Sequence, residues 1–297
     1  TEDYPLLGTT TEAPEIAHGA ETVPLAALLT VYEDKLESVF PCNIRNRAPK
    51  PETLSYHATG RCAPAIRAAK PRVLIPVFPG TNCEYDSARA VADAGAIPEI
   101  AVIRNLSADD IAASVSEFAS KLKQAQIVFL PGGFSGGDEP AGSGKFITAF
   151  FRNPEIREEV TNLLERRDGL MCGICNGFQA LIKLGLVPFG KIVEPDASNP
   201  TLTDNTIARH QSRIVRTRIV SNKSPWLSLM EVGEIVNVPI SHGEGRVYAD
   251  DAWLARLAAN GQIATQYADF EGNATNDIRF NPNDSAGAVE GITSPDG

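Results

Sequence analysis

A cysteine on a glycine-flanked turn is the strongest chemical feature of the sequence. Residues 173–177 read Gly-Ile-Cys-Asn-Gly, with Cys175 at the centre. An apolar run that begins near Gly169 precedes the turn, and apolar residues recur at helical spacing from Phe178 to Leu184 after it. This is the Gly-x-nucleophile-x-Gly pattern of a strand-turn-helix elbow, with cysteine in place of serine. The positive end of the following helix would favour the thiolate of Cys175, which is the reactive form.

Two other interpretations of these residues stay open on the elbow alone. Cysteine is among the most frequently buried residue types, so Cys175 could simply belong to the core. Cys172 and Cys175 also form a Cys-x-x-Cys pair, which in an intracellular protein can act as a redox centre. The elbow favours nucleophilic catalysis only slightly over these two alternatives.

A catalytic cysteine needs a base and a group that orients this base. The chain has four histidines, and His242 directly follows a predicted strand. Glu244 is two residues further on, so in extended backbone both side chains would project to the same side. We therefore expect Glu244 to hold the imidazole of His242. The alternative is that His242 is a surface histidine in a polar loop. The presence of the elbow and of a second glycine-rich turn makes the catalytic interpretation the stronger one.

This second turn has the sequence Pro-Gly-Gly-Phe-Ser-Gly-Gly at residues 131–137. It does not fit a phosphate loop, because Lys145 is followed by Phe146 and Glu139 stands where that motif needs glycine. The backbone N–H groups of Gly133 and Asn176 could instead form an oxyanion hole. A purely structural tight turn explains the glycines equally well when they are considered alone.

Composition limits the classes of function. A net charge of −10 argues against binding of nucleic acid or of an anionic membrane surface. No apolar run approaches membrane-spanning length, and the N-terminus lacks a signal-peptide pattern. Five cysteines without disulfide-framework spacing favour a reducing compartment, so we expect the cytoplasm. His18, His57, Cys42 and Cys62 show no ligand spacing, and we expect no metal site.

Alternating strands and helices predict an α/β domain with a mainly parallel sheet over residues 72–297. The predicted strands are 72–78, 97–103, 126–130 and 169–173, followed by β-like stretches at 213–220, 234–240, 262–267 and 277–280. The predicted helices are 84–94, 107–123, 145–151 and 154–166. Ligands of such sheets bind beyond the carboxyl ends of the strands, where Cys175 and the glycine-rich turn fall.

The N-terminal part does not look like a domain of its own. Residues 25–39 predict one amphipathic helix, which would be marginal in isolation. The proline-rich residues 49–71 predict a linker. We therefore expect residues 1–48 to be the tail of a preceding domain, and the chain to be a fragment of a longer polypeptide.

Three motifs in this order resemble the class I glutamine amidotransferase family. They are Pro-Gly-Gly at 131–133, Gly-Ile-Cys-Asn-Gly-Phe-Gln at 173–179 and Ser-His-Gly-Glu-Gly-Arg at 241–246. Together with Val-Phe-Pro-Gly-Thr-Asn-Cys-Glu at 77–84, they resemble the glutaminase domain of the phosphoribosylformylglycinamidine synthase family. The resemblance covers about residues 72–297 and implies a three-layer α/β/α, flavodoxin-like fold. Residues 1–48 resemble the end of the synthetase part of the large single-chain form.

The resemblance also implies roles for residues. Cys175 would form a γ-glutamyl thioester, His242 would shuttle protons with Glu244 as its partner, and the N–H groups of Gly133 and Asn176 would bind the oxyanion. The residues implied to contact glutamine are Gln179, Asn205 and Arg209. His210 replaces a family-typical aromatic residue and receives no catalytic role. Family members continue past the final Ser-Pro-Asp-Gly with a segment that contains Met, His, Glu and Arg.

The implied function is glutamine hydrolysis that supplies ammonia for the ATP-dependent amidation of formylglycinamide ribonucleotide in purine biosynthesis. The implied partners are glutamine and the synthetase domains of the same polypeptide. ATP and Mg²⁺ are expected in that synthetase part, and no cofactor is expected in this chain. Three alternatives remain: a free-standing amidase or peptidase of the same superfamily, a docking domain that keeps the fold without catalysis, and a Cys-x-x-Cys redox protein.

Overall fold

The computed structural model of the chain describes residues 7–41, 49–60, 64, 66–136 and 144–297. The chain divides into two compact units, Thr1–Arg45 and Asn46–Gly297. Cys42, Cys62 and residues 137–139 of the glycine-rich motif and its flank lie outside the described residues.

The first unit consists of an antiparallel hairpin and one helix. Strands β1 (Glu15–His18) and β2 (Glu21–Pro24) pair with each other, and helix α1 (Leu25–Asp34) follows directly. No residue of α1 is buried. The helix is shorter than the 25–39 expected from the apolar pattern, because residues 35–39 form turns.

The second unit contains the remaining elements. Its strands are β3 (Arg72–Val77), β4 (Ile97–Val102), β5 (Ile127–Leu130), β6 (Leu170–Gly173), β7 (Thr201–Thr203), β8 (Gln211–Ile219), β9 (Ile235–His242), β10 (Arg246–Tyr248), β11 (Ile263–Tyr267) and β12 (Val289–Ile292). Its helices are α2 (Glu84–Asp93), α3 (Ala108–Leu122), α4 (Lys145–Phe151), α5 (Pro154–Thr161), α6 (Asn176–Leu184), α7 (Leu186–Phe189) and α8 (Asp251–Ala259).

Four parallel strands form the sheet on which the site is built, in the order β4-β3-β5-β6. Val73, Leu74 and Ile75 alternate between the two faces of β3, and all three are buried. Both faces of the sheet are therefore covered, which confirms the expected three-layer α/β/α fold. The chain reverses its direction of strand addition between β3 and β5, which makes their carboxyl ends a topological switch point.

An aromatic cluster packs helices α3 and α4 against this sheet. Phe78, directly after β3, contacts Phe150 edge to face, with ring centroids 5.4 Å apart. Phe118 of α3 packs against Phe150 and Phe151 at 5.4 and 5.8 Å. Such pairs add to the hydrophobic stabilisation from burial alone. The core therefore reaches directly beneath the turn that follows β3.

A second, antiparallel sheet has the order β12-β11-β8-β9. His242 is the last residue of β9 and pairs with Gln211, the first residue of β8. The expected strand at 277–280 is wrong, because these residues form a turn. The carboxylate of Asp277 accepts the N–H of Arg279 at 2.9 Å, and the Asp277 carbonyl accepts the N–H of Phe280, so the local side chain competes with strand pairing.

Part of the expected linker 49–71 is integrated into the second unit. The Tyr56 N–H donates to the carbonyl of Val220 at 2.8 Å, and the Leu54 N–H donates to Oε1 of Gln266 at 3.0 Å. These bonds attach the segment to β11 and to the residue after β8. Within the described part of the chain, no helix is long and apolar enough to cross a membrane.

Candidate active site

The elbow between β6 and α6 places Cys175 in a strained backbone conformation, with φ 54° and ψ −109°. Such angles are costly for a residue with a side chain and are found mainly at functional sites. The glycines on either side of Cys175 allow the backbone of the elbow to pack closely against neighbouring backbone. A Cβ on Gly173 would lie 2.6 Å from the Gly177 backbone, and a Cβ on Gly177 would lie 2.2 Å from the carbonyl oxygen of Leu130. The elbow therefore needs glycine on both sides of the cysteine.

Cys175 and the glycine-rich turn line one pocket of about 290 Å³. Gly132, Gly133 and Ser241 also line it, so the pocket brings together the ends of β5, β6 and β9. Sγ of Cys175 lies 3.7 Å from the carbonyl oxygen of Ser241 and can donate to it. The pocket thus adjoins all three sequence motifs.

Cys172 occupies a different environment. It lies on β6 and lines another cavity, of about 400 Å³, together with Phe178 and Trp226. Burial raises the pKa of the Cys172 thiol to about 11. None of the three described cysteines, Cys83, Cys172 and Cys175, forms a disulfide. Cys172 is therefore protonated at neutral pH and lies in a different pocket from Cys175.

The turn after β3 holds the glycine-rich turn in place. The Asn82 N–H donates to the Gly132 carbonyl at 2.9 Å, and the Phe134 N–H donates to the Gly80 carbonyl at 2.8 Å. These two bonds flank Gly133, which lies opposite Thr81 in an antiparallel bridge. In this type of pair the bonds are made by the neighbouring residues, and the N–H of Gly133 itself takes no part. Among the described residues, this bridge therefore leaves the N–H of Gly133 unused.

His242 is the last residue of β9 and directly follows Ser241, which lines the Cys175 pocket. Burial, with a smaller contribution from the charge of His210, lowers the pKa of His242 to about 4. Nε2 lies 3.5 Å from Nδ2 of Asn283, whereas Nδ1 is buried and has no hydrogen-bond partner in the described structure. The imidazole is therefore neutral at pH 7, and neither ring nitrogen is hydrogen-bonded to Cys175 among the described contacts.

The expected hydrogen bond between Glu244 and His242 is absent among the described contacts. The same-side argument requires extended backbone, but β9 ends at His242 and Gly243–Glu244 form a bend. The negative charge of Glu244 acts on Lys183 of α6 instead, where it opposes the lowering of the lysine pKa by burial. The structure therefore corrects the expected orienting contact.

The three residues expected to contact glutamine lie around the elbow and the His242 loop. Nε2 of Gln179 donates to the Glu244 carbonyl at 2.8 Å, and Nδ2 of Asn205 donates to the carbonyls of His242 and Arg209 at 2.8 and 2.9 Å. Both amides are buried and already bonded within the protein. Direct contact of these side chains with a ligand would require internal hydrogen bonds to break.

Sequence reasoning missed the residues that contact the imidazole of His242. Nδ2 of Asn283 also donates to the hydroxyl of Tyr267 at 2.6 Å and to the carbonyl of Gly245 at 3.1 Å. Asn283 lies in a turn far along the chain, and no motif or spacing marks it. His210, which had received no catalytic role, pairs through Nε2 with the hydroxyl of Ser241 at 2.9 Å.

Comparison with known proteins defines the class. Residues 70–297 match the CobB/CobQ-like glutamine amidotransferase domain, and the chain therefore belongs to this family. It is a glutamine amidotransferase, as the three motifs had indicated.

Particular relatives narrow the kind of amidotransferase to the one found in phosphoribosylformylglycinamidine synthase. The chain is 32% identical over 223 residues to phosphoribosylformylglycinamidine synthase subunit PurQ of Salinibacter ruber, which covers 75% of this chain and 81% of that protein. It is 33% identical over 228 residues to the PurQ subunit of Methanococcus maripaludis, covering 76% and 78%. The solved structure of PurLQS from Thermotoga maritima matches with a TM-score of 0.51 at 25% identity, over 74% of this chain and 80% of that one.

Proposed function

We propose that this chain hydrolyses glutamine at Cys175 and supplies the ammonia to the synthetase of phosphoribosylformylglycinamidine synthase. The single observation that supports this most strongly is the strained Cys175 at the start of α6, in one pocket with Gly132 and Gly133. The likeness to PurQ subunits supports the pathway, purine biosynthesis.

The proposed reaction begins when the Cys175 thiolate attacks the side-chain amide carbon of glutamine. A C–S bond forms, the amide nitrogen receives a proton, and the C–N bond breaks so that this nitrogen leaves as ammonia. Water then attacks the γ-glutamyl thioester, which releases glutamate and restores the thiol. The N–H groups of Gly133 and Asn176 would bind the oxyanion of each tetrahedral intermediate.

We assign the proton transfers to His242. An imidazole with a pKa of about 4 is neutral at pH 7 and can accept a proton. A hydrogen bond between His242 and Cys175 need not be in place before glutamine binds, because catalytic hydrogen bonds often form only with substrate present. We propose Glu244 as an electrostatic partner and Arg209 as a contact for the charged groups of glutamine. Gln179 and Asn205 would then shape the site rather than bind glutamine directly.

The partner is proposed to be a synthetase that binds ATP, Mg²⁺ and the ribonucleotide. The likeness to PurLQS supports such an assembly. We further propose that residues 1–48 belong to the synthetase part of a large single-chain form, with 49–71 as the connection to residues 72–297. The relatives reported above are named as separate subunits, so this finer proposal rests on the sequence and on the helix α1, which buries no residue of its own. The expected location is the cytoplasm.

The test is steady-state release of glutamate by the purified chain, alone and together with the synthetase, ATP, Mg²⁺ and formylglycinamide ribonucleotide. We expect slow hydrolysis by the chain alone and a faster rate in the complete mixture, because uncoupled hydrolysis would waste glutamine. Cys175→Ser should abolish both rates. Activity that survives in Cys175→Ser would overturn the proposed function, and an equal rate in both mixtures would favour a free-standing amidase.

A further inference from the structure

A chain of buried hydrogen bonds connects the three sequence motifs. The Ser135 N–H donates to Oδ1 of Asn176 at 3.2 Å. Nδ2 of Asn176 donates to Oε1 of Gln179 at 2.9 Å, and Nε2 of Gln179 donates to the Glu244 carbonyl at 2.8 Å. We call this the amide relay. Its two side-chain amides belong to residues that are 1% and 4% exposed, so its bonds are shielded from water.

The relay has a fixed polarity. One end is a backbone N–H, which can only donate, and the other end is a backbone carbonyl, which can only accept. Each side chain between these ends must therefore accept on one side and donate on the other. A carboxamide does both, whereas an ionised carboxylate only accepts and an ammonium group only donates. Aspartate or glutamate would fit the space but not the hydrogen-bond pattern.

We propose that Asn176 and Gln179 are positioning residues. Their side chains hold the glycine-rich turn, the Cys175 elbow and the His242 loop at fixed positions relative to one another during glutamine hydrolysis. This inference rests on the proposed function. Ser135 lies two residues after Gly133, so the first bond fixes one proposed oxyanion donor relative to the other, the N–H of Asn176 itself. The last bond fixes the loop after His242 relative to α6. Displacements of about 1 Å in such arrangements can cost about 100-fold in rate.

The sharpest test is Gln179→Glu assayed from pH 6 to pH 9. The introduced carboxylate, when ionised, cannot donate to the Glu244 carbonyl, whereas a protonated carboxylic acid carries one O–H donor and restores the bond. Burial and the facing carbonyl raise the pKa of the introduced carboxyl. The titratable groups around Gln179 are Cys175, whose carbonyl accepts the Gln179 N–H, and Lys183 of the same helix, on which the charges of Glu244, Lys145 and Asp204 act. We expect kcat/KM for glutamine to be about ten- to 100-fold below the unmodified chain at pH 9, with the deficit shrinking as pH falls.

Gln262→Glu is the matched control. Gln262 is 2% exposed, accepts from Nδ2 of Asn260 at 3.1 Å and donates to the carbonyls of Pro188 and Thr293 at 2.9 and 3.0 Å. Its chemical setting resembles that of Gln179, with a second carbonyl acceptor in addition, but its partners are not residues of the site. We expect Gln262→Glu to lower the melting temperature to a similar degree while its kcat/KM stays close to that of the unmodified chain at every pH.

The possible outcomes distinguish failure of the relay proposal from failure of the proposed function. If Gln179→Glu fails to fold, Asn176→Asp tests the same polarity and should show the same recovery at low pH, because its backbone N–H is retained. A pH-independent effect no larger than that of Gln262→Glu would overturn the relay proposal, provided that Cys175→Ser is inactive. Activity in Cys175→Ser would instead refute the glutaminase function itself.

Discussion

The imidazole of His242 occupies the space that a side chain at Gly245 would need. A Cβ at position 245 would lie 2.2 to 2.4 Å from three atoms of the ring, closer than any real contact. The last glycine of the Ser-His-Gly-Glu-Gly-Arg motif therefore sets the position of the histidine. The buried Asn283 contacts both His242 and the Gly245 carbonyl, so the ring is fixed from two sides.

Gly245→Ala should displace the imidazole and lower kcat/KM for glutamine by about ten- to 100-fold. The matched control is Gly243→Ala, two residues earlier, where an added Cβ would meet nothing within 4 Å. Steady-state kinetics of both variants, with thermal melts to verify folding, measure the difference. Equal activity of the two variants would show that the ring position does not matter for turnover.

Glu244→Gln should reduce turnover by less than about tenfold, much less than Cys175→Ser or His242→Gln. Among the described contacts the carboxylate of Glu244 makes no hydrogen bond with the imidazole, and the link from Glu244 to Gln179 uses the backbone carbonyl, which the substitution keeps. Glutamate release by the three variants is the measurement. A loss in Glu244→Gln as large as in Cys175→Ser would mean that the carboxylate takes part in the chemistry.

The buried His242 should make the protein less stable as the pH falls from about 6.5 to 4. The folded state holds the pKa near 4, whereas an unfolded histidine has a pKa near 6.5, so the unfolded chain binds more protons in this window. The free energy of unfolding should fall by up to about 3 kcal/mol over this range on account of His242.

Denaturant unfolding at pH 7, 6, 5 and 4.5 tests this, with His242→Gln as the comparison. The substituted protein should lose less stability on acidification, because position 242 no longer titrates. Parallel stability curves for the two proteins would show that His242 does not have the lowered pKa.

The parallel sheet was predictable because its strands are continuous apolar runs bounded by turn residues. Ser107 likewise marked the start of α3, and its hydroxyl accepts the Asp110 N–H at 3.1 Å. The turn that begins at Asp277 was not predictable, because residues 277–280 have a β-like composition and a side-chain hydrogen bond of Asp277 stabilises the turn instead. Cys175 was recognisable from local glycine spacing, whereas the contact between Asn283 and His242 depends on tertiary packing that no short motif records.

The most direct test of the central claim, that Cys175 is the nucleophile, is labelling with 6-diazo-5-oxonorleucine followed by peptide mass spectrometry. This glutamine analogue requires both a reactive thiolate and a site that fits glutamine. We expect modification of Cys175 alone, with protection by excess glutamine. Cys172 should be spared because burial raises its pKa to about 11, and the exposed Cys83, which lines the same pocket as Cys175, should be spared as well. Labelling of Cys172 or Cys83 in place of Cys175 would contradict the account.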